Sequence, residues 1–111
     1  SDSAQSPGAR YKGCLAGTLS NIGGYSLNYH KHIHTGEGGV CVTDDPELAE
    51  RLQMIRNHAE AVVAGKDTAN LANMIGFNFR MPEVEAAIEM CCCPPGHFFH
   101  KPPFYFFLYL G

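Results

Sequence analysis

Residues 22–43 read IGGYSLNYHKHIHTGEGGVCVT. Two short apolar stretches flank a histidine-rich run and a cluster of glycines. Residues 22–29 have the pattern of a short strand that leaves a tight Gly-Gly approach. Residues 39–43 are β-branched and apolar at alternate positions, a second strand. The intervening Thr35-Gly36-Glu37-Gly38-Gly39 must reverse the chain, and glycine supplies the positive φ values a reversal needs.

Residues two apart on a strand share a face. His30, His32 and His34 would line one side if the strand ran through them. With a further ligand such as Asp2 or Glu37 they would suit zinc. The alternative is that they pack and hydrogen-bond around a pocket wall. Lys31 would then face the other way. A neutral lysine amine forms a Schiff base with an aldehyde. Lys31 is a candidate for that chemistry, with Asp2 as a candidate carboxylate and Ser26 as a candidate hydroxyl.

Outward from this core, Asp44-Asp45-Pro46-Glu47 starts a helix. Asp45 is placed to cap, Pro46 suits the first helical position, and Glu47 favours the positive end. The helix runs from Leu48 to about His58, with Leu48, Leu52 and Ile55 as its buried stripe. Residues 59–73 are less regular, and 64–67 mark a loop or break. GFNFR, residues 76–80, alternates aromatic and polar side chains. Met81-Pro82-Glu83 opens another helix, with Val84, Ala87 and Ile88 available for burial and a stop before Pro94. Residues 1–17 read as an irregular loop segment.

The chain has 111 residues and a formal charge of −3, enough for one small domain. Its charges are interspersed, so neither a polyanion partner nor a polybasic membrane patch is indicated. Residues 1–10 lack the basic and apolar regions of a signal peptide and an initiator Met, which suggests a piece of a longer protein. No apolar run reaches the roughly 20 residues that span a bilayer. Five cysteines, three of them consecutive at 91–93, fit no zinc pattern and contain no CxxC. Cys14 and Cys41 read as small buried or half-buried thiols. A reducing, cytoplasmic setting follows.

From Cys91 the chain reads CCCPPGHFFHKPPFYFFLYLG. Two Pro-Pro pairs and a crowd of aromatics obey no periodicity, and this stretch yields no packed element. It reads as a disordered or out-of-frame tail, or as an odd natural appendage.

Three stretches resemble one family. They are DSAQSPGARYKG near the start, residues 22–59, and GFNFRMPEVEAAI. In that order and spacing they are similar to the DegT/DnrJ/EryC1/StrS family of pyridoxal-phosphate-dependent sugar aminotransferases, over residues 1–90. The resemblance implies an α/β fold. Residues 1–90 would be an inner segment of a fold-type-I PLP-dependent transferase large domain, a mixed, mostly parallel sheet flanked by helices. That domain would be incomplete here, and residues 91–111 would be a non-family tail.

The resemblance also implies roles. Lys31, five residues before Gly36, would be the lysine that binds pyridoxal 5'-phosphate. Asp2 would meet the pyridinium nitrogen, and Gln5 the ring face or its hydroxyl. Ser26 would hydrogen-bond the phosphate. Asn78 would be lent to the phosphate of a neighbouring subunit across a homodimer interface. The implied reaction moves an amino group from glutamate to a nucleotide-linked keto-sugar, in nucleotide-sugar metabolism and polysaccharide biosynthesis. Some relatives carry His in place of this lysine and dehydrate; counting back from Gly36 lands on Lys31 and favours amino transfer. Family members are several times longer, and the glycine-containing phosphate helix start and the small domain have no counterpart here. The isolated chain is therefore expected to be inactive. The alternatives are a small His-cluster metal-binding module and a non-functional truncated product.

Overall fold

A computed structural model describes residues 1–59 and 75–92, and the backbone of 106–108. The chain is mixed α/β. Strands β1 (Arg10–Tyr11) and β2 (Cys14–Leu15) form a small hairpin. A 3-10 turn at Ala16–Thr18 leads on to β3 (Gly23–Ser26). Then come β4 (Gly39–Val42), helix α1 (Pro46–Arg56), helix α2 (Glu83–Cys92) and β5 (Phe106–Leu108).

The main sheet has the order β3-β4-β5, and both pairings are antiparallel. The N-terminal segment lies along the free edge of β3 in parallel, through an Asp2–Gly24 bridge. Ser3 N–H donates to Gly24 O, and Gly24 N–H donates to Ser1 O, both at 2.9 Å.

One face of this sheet carries the core. Tyr25, Leu27, Ile33, Val40 and Val42 form a buried cluster, with Met81 packed against it. Leu27 is 1% exposed. Truncating it would remove buried methyl groups and leave a cavity, so Leu27→Ala is expected to cost about 2–5 kcal/mol. Urea unfolding would show it as a lower midpoint with an unchanged slope.

The strands are shorter than the pattern suggests. The first ends at Ser26 and the second at Val42. The reversal behaves as the glycines require, with φ of 104° at Gly36 and 146° at Gly38. Residues 1–17 are not simply irregular. Lys12 and Gly13 both take positive φ, 49° and 85°, which suits the two-residue turn of the β1–β2 hairpin.

Helix α1 starts as its capping residues dictate. Asp45 Oδ1 accepts from the N–H groups of Glu47 at 2.9 Å and Leu48 at 3.2 Å. Its buried residues, however, are Ala49 and Met54, not the stripe Leu48, Leu52 and Ile55, which are half-buried. Ala49 and Met54 are five residues apart, about 140° round the helix, so burial in α1 is not confined to one stripe. Helix α2 buries no residue. Val84, at 69% exposed, and Ile88, at 39%, face outward, which corrects the expectation that they and Ala87 are buried. The aliphatic spacing was there, but no described element covers it. Residues 60–74, including the break at 64–67, lie outside the described residues.

The sequence reading assigned no element to the tail. Residues 106–108 nevertheless pair with β4, Leu108 opposite Gly39 and Phe106 opposite Cys41. An unpaired β4 edge offers backbone groups to any extended segment that reaches it.

Candidate active site

On the sheet's other face β3 and β4 carry small residues. In a ladder, bridged residues point to the same side and neighbours alternate. Gly24 pairs with Cys41 and Ser26 with Gly39, while Asp2 bridges Gly24. Asp2, Gly24, Ser26, Gly39 and Cys41 therefore share the face opposite Tyr25 and Val40. A methyl group placed on Gly24 would meet no atom of the described residues within 4 Å. Around Gly24 this face carries a carboxylate and a hydroxyl.

Both polar groups have bonding capacity left over. Asp2 Oδ1 accepts from Ala4 N–H at 3.0 Å, and Oδ2 is bound to no described residue. Ser26 Oγ accepts from Asn28 N–H at 3.2 Å. The Ser26 hydroxyl hydrogen is then free to donate elsewhere. Gln5 is exposed in the turn that follows, closed by Ser6 N–H on Ser3 O at 3.0 Å.

The histidine run is a loop, not a strand. The chain turns at Tyr29 and His30 and bends through Lys31, His32 and Ile33. Two sets of contacts close its base. Leu27 N–H donates to Gly38 O at 2.8 Å, and Thr35 N–H donates to Leu27 O at 3.0 Å. Asn28 Nδ2 lies 2.8 Å from both carboxylate oxygens of Glu37. Asn28 Oδ1 accepts from His30 N–H at 3.1 Å. Ile33 is buried in the core and pins the loop's middle.

This overturns the premise that His30, His32 and His34 share a strand face. His30 and His32 are exposed, and His34 is half-buried. No group of three or more His, Cys, Asp or Glu among the described residues is placed to hold a metal ion. Glu37, a candidate ligand from the sequence, is committed to Asn28. The Asn28–Glu37 clamp was missed in the sequence, although an Asn at the strand end followed by a glycine-flanked Glu was its only signal.

Lys31 is half-buried in this loop. Its N–H donates to Asn28 O at 2.9 Å, and its ammonium forms no ion pair among the described residues. Lys31 thus sits in the loop that continues the strand carrying Ser26. Asn78 lies elsewhere, bridged to Asn57 just past α1. No described hydrogen bond links it to Asp2, Gln5, Ser26 or Lys31.

Burial pushes the Cys41 thiol above its ordinary range. The folded chain therefore holds this proton to higher pH than the unfolded chain does. The stability this contributes is full below the unfolded value and is lost as pH rises through the folded one. Cys14 is exposed. At pH 8, iodoacetamide should label Cys41 about tenfold more slowly than Cys14, a gap that closes in urea. Mass mapping against time measures it.

The donor set fits pyridoxal phosphate. Among the described residues, a carboxylate with one oxygen unused and a hydroxyl with its hydrogen unused share one sheet face, and an amine stands in the loop that follows β3. Among the described residues no helix is long and apolar enough to cross a membrane.

Comparison with known proteins bears on this arrangement. The family model for the DegT/DnrJ/EryC1/StrS aminotransferase family matches residues 1–91. A dTDP-3-amino-3,4,6-trideoxy-alpha-D-glucose transaminase of Streptomyces venezuelae is 40% identical, over 78% of this chain and 22% of its own length. A GDP-perosamine synthase of Caulobacter vibrioides is 33% identical, over 80% and 23%. An L-glutamine:2-deoxy-scyllo-inosose aminotransferase of Streptomyces fradiae is 31% identical, over 78% and 22%. The chain spans less than a quarter of the length of each of these relatives. With a match over most of its residues, the chain belongs to the DegT/DnrJ/EryC1/StrS aminotransferase family.

Proposed function

We propose that residues 1–90 are the lysine-bearing inner segment of a pyridoxal-phosphate-binding large domain. The parent enzyme would be a cytoplasmic fold-type-I homodimer that aminates a nucleotide-linked keto-sugar, with glutamate as donor. Residues 91–111 lie outside the family segment, although residues 106–108 pair with β4. The family match ending at Cys91 supports this boundary, and the relatives named for amino-sugar products support the substrate class.

The observation that carries the reading is the shared face. Asp2 and Ser26 stand on one sheet face through the Asp2–Gly24 bridge, and Lys31 follows from the same strand. When bound, the cofactor supplies an electron sink for the pair left behind when a proton leaves carbon. Lys31 would hold the group through Nζ. Once the amino donor takes its place, Lys31 Nζ would take and return the proton at the substrate α-carbon. Asp2 would keep the ring nitrogen protonated, Gln5 would lie against the ring or its hydroxyl, and Ser26 would donate its hydroxyl hydrogen to the phosphate. The chain spans less than a quarter of the length of these relatives, so the 111 residues alone are expected to turn over little or not at all.

The test is borohydride reduction of the full chain after incubation with pyridoxal phosphate, followed by peptide mapping. One adduct, on Lys31, supports the reading. Adducts spread over Lys12, Lys66 and Lys101, or none at all, would count against a preformed pocket.

A further inference from the structure

We infer that Arg80 and His58 are positioning residues that hold the Asn78 amide with its Nδ2 group turned outward as an anion donor. This rests on the role at a cofactor phosphate that the family resemblance implies for Asn78, and adds what prepares it for that role.

An asparagine side chain presents an acceptor oxygen and a donor nitrogen of nearly equal size. Unrestrained, it offers either to an approaching phosphate, and the oxygen would repel it. Here Arg80 Nε lies 3.0 Å from Asn78 Oδ1. A guanidinium only donates, so the atom facing it must be the oxygen. The two Nδ2 hydrogens are left pointing away, with no acceptor among the described residues.

Arg80 is itself held. Its terminal nitrogen lies 3.5 Å from His58 Nε2. By the same logic that ring nitrogen is the acceptor, which puts the ring proton on Nδ1. His58 takes φ of 59° and Ala59 takes 55°, a left-handed conformation that a side-chain-bearing residue adopts only where its surroundings hold it. The surroundings do so here. His58 N–H donates to Phe77 O at 2.8 Å, Phe77 N–H to Ile55 O at 2.7 Å, and Phe79 N–H to Arg56 O at 2.9 Å.

The alternation of residues 77–80 completes the arrangement. Phe77 and Phe79 stack on each other at 5.0 Å. In an extended segment Asn78 and Arg80 then fall on the opposite side.

The test uses the full chain with labelled side-chain nitrogens, and reads orientation without any ligand. Wild type should show two well-separated Asn78 Nδ2 proton resonances and a slowly exchanging Arg80 Nε–H. In Arg80→Ala and in Arg80→Lys, which lacks the planar fork, the Asn78 pair should collapse to free-amide positions while the backbone amide spectrum stays folded. His58→Gln, which retains an acceptor, should keep the Arg80 signal, and His58→Phe should lose it. Asn78 resonances unchanged in Arg80→Ala would overturn the inference.

A second arm tests the reading beneath it. The chain is titrated with pyridoxal phosphate and with pyridoxal, which lacks the phosphate. Asn78→Ala and Arg80→Ala should each weaken pyridoxal phosphate about five- to tenfold, leave pyridoxal unchanged, and in combination be no worse than Asn78→Ala alone. Equal, additive losses would make Arg80 a direct ligand and overturn its positioning role. Insensitivity to Asn78, with the orientation signals intact, would instead overturn the phosphate role of Asn78 alone.

Discussion

Lys31→Ala is expected to abolish the reduced pyridoxal phosphate adduct completely and to leave the fold intact. The first half follows from chemistry. Alanine has no nucleophile, and no other side chain in the loop supplies an amine. Lys31→Arg should fail in the same way, because a guanidinium does not give up its proton in a protein. In an enzyme that carries this segment, the proposed role of Lys31 would make its loss remove the acid–base step as well, and turnover should fall roughly 10²–10⁴-fold. A small added amine such as methylamine should restore part of that loss, because it replaces the missing nitrogen without the tether. The second half follows from the structure. Ile33, the Asn28–Glu37 clamp and the Leu27–Gly38 hydrogen bond hold the loop. The Lys31 ammonium contributes no ion pair to it among the described residues. Thermal unfolding of Lys31→Ala should therefore match wild type within about 0.5 kcal/mol. An undiminished adduct in Lys31→Ala would place the chemistry on another lysine.

The second large effect separates two adjacent glycines. Gly23 and Gly24 are neighbours in β3 and point to opposite faces. Gly23 lies against the backbone of Gly17, and a methyl there would be driven into the Gly17 carbonyl. Gly17 is buried and is fixed in its turn, since its N–H donates to Tyr25 Oη at 3.0 Å. Backbone cannot move aside as a flexible side chain can. Gly23→Ala should therefore destabilise by roughly 3 kcal/mol or more, a large part of what a small domain has. Its melting temperature should drop by about 10–20 °C. Gly24→Ala meets no atom of the described residues and should fold normally. Its methyl would stand on the face between Asp2 and Ser26, so it should lower the yield of adduct on Lys31 instead. Calorimetry on both variants, paired with adduct yield, reads the two effects apart. A stable Gly23→Ala would mean that the 3-10 turn at Ala16–Thr18 does not pack on β3 as described.

How far the sequence carried depends on the range of the interaction that decides each feature. The cap of α1 needs only Asp45, Pro46 and the next two N–H groups, so it was legible. So was the reversal at Gly36 and Gly38, because positive φ is a property of single residues. The family motifs named Asp2, Gln5, Ser26, Lys31 and Asn78, and Asp2 and Ser26 do share a face. The Lys12-Gly13 turn was also written locally, but its sequence is a less specific signal than Asn-Gly and it passed as loop.

The sequence by itself determined the capped helix, the glycine reversal, two apolar strands and the family to which the chain belongs. Those depend on neighbours a few residues apart or on residue identity alone. Tertiary structure alone decided which glycine is crowded, which residues of α1 are buried, and that the three histidines do not share a strand face. The last turns on Asn28 meeting Glu37 and Ile33 reaching the core, contacts that exist only after the loop has closed. The same holds for Arg80 between Asn78 and His58, since a hydrogen bond across 22 positions has no trace in spacing. Alternation and periodicity report what a segment offers to its surroundings. Which offer is taken up depends on the shape of the element that arrives.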